Sequence, residues 1–578
     1  MKQLPVTVTR PSVVSQPSLP RTAPTAGVAL LRAFARHGVD IAYGIPGGSA
    51  SPLFDALLDV PEIQFVSTRH EAMAGFAAMG HARQTGRPAL VMTTSGPGLT
   101  NAITGIAAAS LEGIPMIVLA GEVAFAATQR GALQDGSAGG LDVVSTLRSA
   151  TRWVTTLGAA AGAAGTAERA WQLATSGRPG PVVIAVPLDV GGHPAEGVVV
   201  PSMPAPPLRP DVGACREAAA ALGAARRPLL ILGNGARDAH AEALALAERL
   251  ALPVAVTGHA KGVFPERHAL YLGIIGVGQH PTVLEYLTEP PDVVCVVGSR
   301  LGDLATNGWT LPLRGTSATI QIDHEPWLIG RNLPVTLGIV GDAKLALTTM
   351  SLSLPRDVAV PRRATPGCRS VRAELSSSDA VPLKPQRVLA ALSAAYPDAI
   401  FCSDIGEHLT LALHYLRVDG PDRFHAMAGL GSMGSGIGMA IGTKRARPDR
   451  TVVAICGDGG LAMHAGEILS CVESEIGVIF AVFNDGRWNM IHHGFSTVYG
   501  RVPPALPSRV ANLAGVAAAF GARSAIVRTP DELSVEALRS HLDTRLPTVL
   551  DIRIDPSESL TGESRAAAIR HFSAAGPR

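Results

Sequence analysis

The 578-residue chain has little of several things that would decide its class at once. Aromatic residues make up only 4% and charged residues 17%. The six cysteines (Cys215, Cys295, Cys368, Cys402, Cys456 and Cys471) are scattered, with no C-x-x-C pair, which excludes a disulfide framework and a zinc-knuckle spacing. They read as reduced core cysteines. No apolar run reaches the roughly 18 residues that would suggest a membrane span. The N-terminal stretch MKQLPVTVTRPSVVSQPSLPRTAPT carries no apolar segment of the kind a secretion signal needs, so a cytoplasmic location is expected. Neither sign of charge dominates: 49 basic residues stand against 47 acidic, a net charge of +2. No basic tract stands out, so neither nucleic acid nor a membrane surface is expected as a partner.

What is present is small and apolar. Hydrophobic residues reach 47%, mostly Ala, Val, Leu and Ile, and there are 62 glycines. Such side chains favour close helix–sheet packing and exclude a disordered chain. At roughly 100–200 residues per domain the length allows three or four domains. Short apolar runs such as IAYGIPG, PALVMTTSGPG, PMIVLAGEV and PVVIAVPLDV alternate with helical periodicity. That pattern means βαβ units and parallel sheets.

The expected fold class is therefore α/β: three successive open parallel-sheet domains. After a tail over 1–26, a first unit spans 27–192. A central unit spans 208–352, a Pro- and Ser-rich linker 353–385, and a third unit 386–560. Pro and Gly cluster between the units, as linkers require.

The strongest chemical signal lies in the third unit, in TVVAICGDGGLAMHAGEILSCVESEIGVIFAVFNDGRWN. Asp458 lies just past one strand and Asp485 just past the next, 27 residues later. Parallel strands end on one sheet edge, where α/β folds bind ligands. Two carboxylates there suit a hard cation such as Mg²⁺, which takes oxygen ligands and shares them with phosphates. Gly457, Gly459 and Gly460 let a backbone approach a diphosphate, and the helix start after them offers free amides. The bland alternative is a strand–turn–helix with solvated aspartates. The Asn484-Asp485 pair following a buried strand makes it the weaker one.

This motif resembles the cofactor signature of thiamine-diphosphate-dependent enzymes. From about Gly27 to Asp555 the chain is similar to their acetolactate synthase-like group. YGIPGGSASPLFDAL, MTTSGPGLTNAITGIAAASLEGIPMIVLAGE and GRPGPVVIAVPLDV resemble the pyrimidine-binding domain. SDIGEHL and AGLGSMGSGIGMAIG resemble the diphosphate-binding domain.

The resemblance implies the cofactors thiamine diphosphate and Mg²⁺. It gives the metal to Asp458, the Asp485 side chain and the Arg487 carbonyl. Relatives usually carry Asn where Asp485 stands. Glu71, in TRHEAMAGF, would bond N1′ of the aminopyrimidine and help C2 lose its proton, so the cofactor does the hard chemistry and the protein positions it. Alone, a Glu in a helix's first turn is usually a surface residue complementing the dipole. By the same likeness Met433 would hold the cofactor bent and the Gly431 carbonyl would receive its amino group. His408 would contact the diphosphate. Gly44, Pro46, Gly96, Met490 and Ile491 would line the cofactor, and Gln134 would face substrate. The resemblance also implies a homodimer or homotetramer whose sites each combine Glu71 of one subunit with Asp458 of another.

Several positions depart from the pattern. Glu407 stands where acetolactate synthases often show Gln. A Phe-Gln pair becomes Leu133-Gln134. An Arg is replaced by Leu304, and the acceptor-pocket Trp by Gly494. These changes make the acceptor side larger and point away from a second pyruvate as acceptor. The His492-His493 pair reads as adjacent loop histidines rather than co-ligands. The central ILGNGARD is a weak nucleotide turn. Gly233, Gly235, Arg300 and Asp323 sit where flavin-binding relatives place contacts, so FAD remains open. The expected activity is decarboxylation of a 2-oxo acid, pyruvate or a close relative, with transfer of the acyl unit to a carbonyl acceptor. The alternatives are a non-ligating decarboxylase, an acyl-phosphate-forming enzyme, a catalytically silent cofactor-binding subunit, or an unrelated nucleotide-dependent oxidoreductase.

Overall fold

The computed structural model describes residues 23–195, 201–357, 367–506 and 508–560. Residues 1–22 of the expected tail, and 358–366 of the expected linker, lie outside the described residues.

The apolar runs form strands in three six-stranded sheets. The first holds β1 (Ile41–Gly44), β2 (Gln64–Ser67), β3 (Ala89–Thr93), β4 (Met116–Glu122), β5 (Trp153–Thr156) and β6 (Pro181–Pro187). The second holds β7 (Pro228–Leu232), β8 (Val254–Thr257), β9 (Tyr271–Ile275), β10 (Val293–Val297), β11 (Ala318–Asp323) and β12 (Leu337–Val340). The third holds β13 (Ile400–Ser403), β14 (Phe424–Ala426), β15 (Val452–Gly457), β16 (Val478–Asn484), β17 (Arg523–Val527) and β18 (Thr548–Arg553). Their orders are β2-β1-β3-β4-β6-β5, β12-β11-β10-β7-β8-β9 and β14-β13-β15-β16-β18-β17.

Neighbouring strands pair in parallel in all three sheets. Central strands such as β3, β4, β6, β10 and β16 are buried along their whole length. This is what continuous Val/Ile/Leu runs covered on both faces require. Each sheet therefore presents one carboxyl edge, where loops can gather chemistry.

The first and third units share a core. Met73, Phe76 and Met79 of the Glu71–Thr85 helix pack with Ile437, Met439 and Ile441 of the Ser435–Ala446 helix. Small residues bring these helices backbone to backbone. A Cβ on Gly442 would stand 1.8 Å from the Ala77 carbonyl oxygen, and one on Gly80 2.1 Å from that of Met439. The Pro97–Glu112 helix joins the same stack, with Gly75 against Gly105.

The central unit is attached differently. Its buried apolar residues merge with one face of the third unit. Arg237 pairs with Asp422 across this junction, and Lys261, paired with Glu266 inside the central unit, donates to the Leu413 carbonyl. All six cysteines are unpaired, and five of them are buried. Among the described residues no helix is long and apolar enough to cross a membrane.

Candidate active site

β15 and β16 are neighbours, with Gly457 paired to Phe483, so the residues that follow emerge side by side on the carboxyl edge. Asp458 itself opens a short helix, ahead of Gly459 and Gly460, and its Oδ1 accepts the Gly459 N–H at 2.9 Å. Asp485 accepts the Arg487 N–H at 3.0 Å. Burial pushes the Asp458 carboxyl up to about 6. Burial, and then the neighbouring Asp458 charge, push Asp485 up to about 7. A buried carboxylate raised further by a neighbouring carboxylate marks a site short of positive charge. Of the Asn-Asp pair only the aspartate stays at the edge. Asn484 turns into the sheet, where its amide donates to Asp551 at 2.7 Å and to the Ala511 carbonyl at 3.0 Å.

The neighbouring loops close in on this pair. A Cβ on Gly459 would lie 2.7 Å from the Trp488 Nε1 and 3.4 Å from the Met433 Cε, so Met433, Gly459 and Trp488 stand together. His408 is buried against Gly406 and Gly457. Burial lowers its pKa to about 4, so the ring is neutral at pH 7, and its Nε2 has no hydrogen-bond partner within the protein. That nitrogen is placed to take a partner from outside the described residues.

The sequence motifs did not single out Asp404, yet it organises this edge. It lies just past β13, fully buried, with its oxygens accepting Gly434 N–H at 2.9 Å and Gly436 N–H at 3.1 Å. Burial raises its pKa to about 6 against those bonds. It thereby fixes the turn that carries Gly431 and Met433. Gly431 and Gly434 both have positive φ, +75° and +87°, a conformation glycine adopts without strain.

A second group gathers at the carboxyl edge of the first sheet. Glu71 opens its helix as expected, is buried, and accepts the Asn101 amide at 3.1 Å. A Cβ on Gly98 would lie 3.4 Å from Glu71 Oε1, and one on Gly96 3.1 Å from the Gln134 Cβ. Glu71, Asn101, the Gly96–Gly98 turn and Gln134 thus share one corner. Gly44 and Pro46 lie on the adjacent β1 turn, where a Cβ on Gly44 would collide with the Met92 carbonyl at 1.9 Å. Glu122, at the end of β4, accepts the Gly136 N–H and holds the Gln134 loop to the sheet.

Within one chain the residues just before Glu71 reach toward the Asp458 edge. Glu467 accepts the Arg69 and His70 N–H groups at 2.8 and 3.2 Å, and the His70 ring lies edge-on to that of His464. The Glu71 carboxyl itself has its described hydrogen bond within the first unit.

Met490 and Ile491 lie on the Asn489–Tyr499 helix, Ile491 exposed. The C-terminal segment 555–560 holds that helix in place. The Asn489 amide donates to the Pro556 carbonyl at 2.9 Å, and His493 Nε2 lies 3.1 Å from the same oxygen. Glu407 is engaged there too, accepting the Ser559 hydroxyl at 2.8 Å and the Leu560 N–H at 3.1 Å. The C-terminal segment thus holds its carboxylate in place. The His492 and His493 rings are 6.0 Å apart at 77°, and both lie on the Asn489–Tyr499 helix rather than on the expected loop, with His493 turned to the Pro556 carbonyl.

In the central unit, Gly233 and Gly235 pack on the Gly298 backbone, and a Cβ on Gly235 would lie 2.8 Å from the Gly298 Cα. The Arg300 carbonyl accepts the Asn332 amide, and Asp323 accepts the Glu325 N–H. Leu304 lines an apolar cavity of about 30 Å³ with Leu409, Leu413 and Ala428, among others.

Comparison with known proteins agrees along the chain. Residues 24–141 match the family model "Thiamine pyrophosphate enzyme, N-terminal TPP binding domain". Residues 215–350 match the central domain of that family, and 404–552 its C-terminal TPP binding domain. The chain is 32% identical to the acetolactate synthase large subunit of Parasynechococcus marenigrum, over 92% of this chain and 88% of the relative. It is 31% identical to the acetolactate synthase isozyme 1 large subunit of Escherichia coli, over 91% and 93%. It is 32% identical to the acetolactate synthase of Arthrospira platensis, over 92% and 95%.

Proposed function

The chain belongs to the thiamine pyrophosphate enzyme family, in its acetolactate synthase-like group, and from that premise we propose that it decarboxylates a 2-oxo acid, pyruvate or a close relative, and passes the acyl unit to a carbonyl acceptor. The observation that carries this reading is the pairing of Asp458 and Asp485 beside Gly459 and Met433 on the carboxyl edge of the third sheet.

The residues fit the cofactor and metal. Asp458 and Asp485 form no ion pair among the described residues, and burial has raised both. They offer Mg²⁺ two hard oxygens, with the Arg487 carbonyl as a third. No group of three or more acidic, His or Cys side chains that could hold a metal gathers among the described residues. The remaining positions would therefore fall to phosphate oxygens and water. The orphaned His408 Nε2 would find its partner in the diphosphate.

Bound thiamine diphosphate supplies the carbon nucleophile and the sink for the electrons released on decarboxylation. The protein's part is to orient and to handle protons. Glu71 would hold a proton at N1′ of the aminopyrimidine, steadied by the Asn101 amide on its other oxygen. The Gly431 carbonyl would receive the amino group and Met433 would fill the angle between the rings. Asp404 keeps their turn in shape. Gln134 would orient the substrate from the first unit. Met490, Ile491 and the half-exposed Trp488 would keep water from the reacting carbon.

Glu71 and Asp458 would serve one site from two chains, making the enzyme at least a homodimer. Leu430, Met463, Trp488, Ile491 and Tyr499 are exposed apolar residues in the loops and helices that follow the carboxyl ends of β14, β15 and β16. An apolar edge of this kind is characteristic of an interface. Sedimentation of the holoenzyme as a monomer at micromolar concentration would contradict this assignment.

The acceptor side is open. A Cβ on Gly494 would meet nothing within 4 Å, and Leu133 is among the most exposed apolar residues of the chain. We assign the acceptor to an aldehyde or ketone bulkier than pyruvate. The test is a steady-state assay with pyruvate alone and then with added carbonyl compounds. Efficient acetolactate formation from pyruvate alone would count against the assignment.

No step of the reaction is routed through a flavin.

A further inference from the structure

The Pro97–Glu112 helix ends on a carboxylate in an unfavourable place. Glu112 is the last residue of the helix, where the backbone dipole repels negative charge, and it is buried. Burial alone would raise its pKa, but the His259 ring, the Arg83 guanidinium and the Gly429 N–H outweigh it and hold the carboxyl at about 2. Three units meet on this one side chain. Arg83 Nη2 comes from the first unit at 3.9 Å, and His259 Nε2 from the central unit at 3.3 Å. The Gly429 N–H comes from the third unit at 2.7 Å, the shortest of the three. A buried charge kept at a helix C-terminus needs a use, since an apolar residue would pack there at lower cost.

Gly429 shows what the use is. It follows β14 and stands two residues before Gly431 and four before Met433. A Cβ on Gly429 would fall 2.7 Å from Glu112 Oε1, so the glycine lets the carboxylate reach the backbone. Asp404 fixes the far end of this turn at Gly434. Glu112 fixes its near end. Between the two anchors Gly431 has a positive φ and its missing Cβ would meet nothing within 4 Å. The conformation of that stretch therefore depends on the anchors rather than on contacts at Gly431 itself.

We propose that Glu112 is a positioning residue: its carboxylate oxygen, by accepting the Gly429 N–H, sets the turn that presents Gly431 and Met433 to the cofactor. The inference rests on the cofactor reading of Gly431 and Met433. The hydrogen bond is the active element, and the Arg83 and His259 contacts keep the carboxylate aimed.

A hydrogen-bonding role and a merely ionic one predict different orders among variants of the full-length enzyme. Glu112→Ala removes the acceptor and the charge, whereas Glu112→Gln removes the charge and keeps an oxygen for Gly429. Two quantities are read. One is amide hydrogen exchange of the 427–433 segment in the cofactor-free protein. The other is the thiamine diphosphate concentration for half-saturation at fixed Mg²⁺, followed by tryptophan fluorescence. Expected are a loss of segment protection and a rise in half-saturation of at least tenfold for Glu112→Ala. Glu112→Gln should stay within about threefold of the parent although it melts earlier. Asp422→Asn, which breaks the nearby pair with Arg237 but does not touch the turn, should lower the melting temperature alone.

If Glu112→Ala does not fold, Gly429→Ala replaces it, because the added Cβ drives the turn off the carboxylate. Equal effects of Gln and Ala, or normal half-saturation in Glu112→Ala, overturn the proposal. Met433→Ala is measured alongside to separate the two levels. If it too binds the cofactor normally, the cofactor reading of the turn fails. If it is impaired while Glu112→Ala is not, the role of Glu112 fails alone.

Discussion

Asp404 and Gly460 face each other without spare room: a Cβ on Gly460 would stand 2.4 Å from Asp404 Oδ2. That oxygen is not free to yield, because it accepts the Gly434 N–H while its partner oxygen accepts that of Gly436. The last glycine of the Gly-Asp-Gly-Gly run is therefore required by a carboxylate that follows a different strand.

Gly460→Ala should displace Asp404 and loosen the Gly431–Met433 turn. A cost of about 2 kcal/mol in folding stability is expected, in line with overpacking of a buried site. Thermal melting of the cofactor-free protein measures it. The half-saturating concentration of thiamine diphosphate should rise at least tenfold in the same variant.

The two edge carboxylates should respond unequally. Asp458→Ala removes a hard oxygen and should raise the Mg²⁺ requirement by about a hundredfold or more. Asp485→Asn keeps an oxygen ligand and relieves the repulsion that Asp458 exerts on Asp485. Its Mg²⁺ requirement should change by less than about tenfold. Metal titration of cofactor-induced fluorescence changes separates the two.

Glu71→Gln retains the hydrogen bond to Asn101 in one amide orientation but cannot exchange a proton. Turnover should fall by about 10²–10⁴-fold, the usual contribution of a positioned acid–base group. Cofactor affinity should change far less. Comparing kcat with the equilibrium binding constant shows which has moved, and intact turnover would remove Glu71 from the mechanism.

Glu467 gives a pH dependence with a defined sign. Burial raises its carboxyl from an ordinary 4.5 to about 7 in the folded protein. Between those values the folded state binds more protons than the unfolded chain, so this residue favours folding below about pH 4.5. That contribution is lost as pH rises to about 7. Glu467→Gln should flatten the fall in stability across this window and leave the protein relatively more stable at pH 8. Denaturant titrations of the cofactor-free protein from pH 5 to 8 would show it, and an unchanged slope would contradict it.

The sequence reading and the structure part company along a physical line. Buried central strands such as Met116–Glu122 and Val478–Asn484 announce themselves as apolar runs. Trp153–Thr156 and Arg523–Val527 do not, because they are edge strands that stay half-exposed and mix polar with apolar side chains. At the site, Asp458 and Asp485 were legible because a strand end and a glycine turn mark each locally. Asp404 was not, since its partners lie 30 and 32 residues away across a sheet edge. Glu112 is a more extreme case, bonded to a backbone group 317 positions along the chain. Glu407 departs from the pattern of its relatives, and its partners Ser559 and Leu560 lie 152 and 153 positions along the chain. Residues that touch ligand leave local patterns, while residues that hold those residues leave contacts that only folding reveals.

The two ways in which the units are joined have a consequence for anyone recombining such proteins. Where the Glu71–Thr85 and Ser435–Ala446 helices cross at Gly80 and Gly442, carbonyl oxygens fill the space a side chain would need. The first and third units are thus matched backbone to backbone and should be inherited as a pair. A hybrid that takes one of them from a distant relative would carry mismatched glycines and fail to assemble. The central unit is tied to the third partly by side-chain pairs such as Arg237 with Asp422, which can be transplanted along with it. It is the cassette to exchange first.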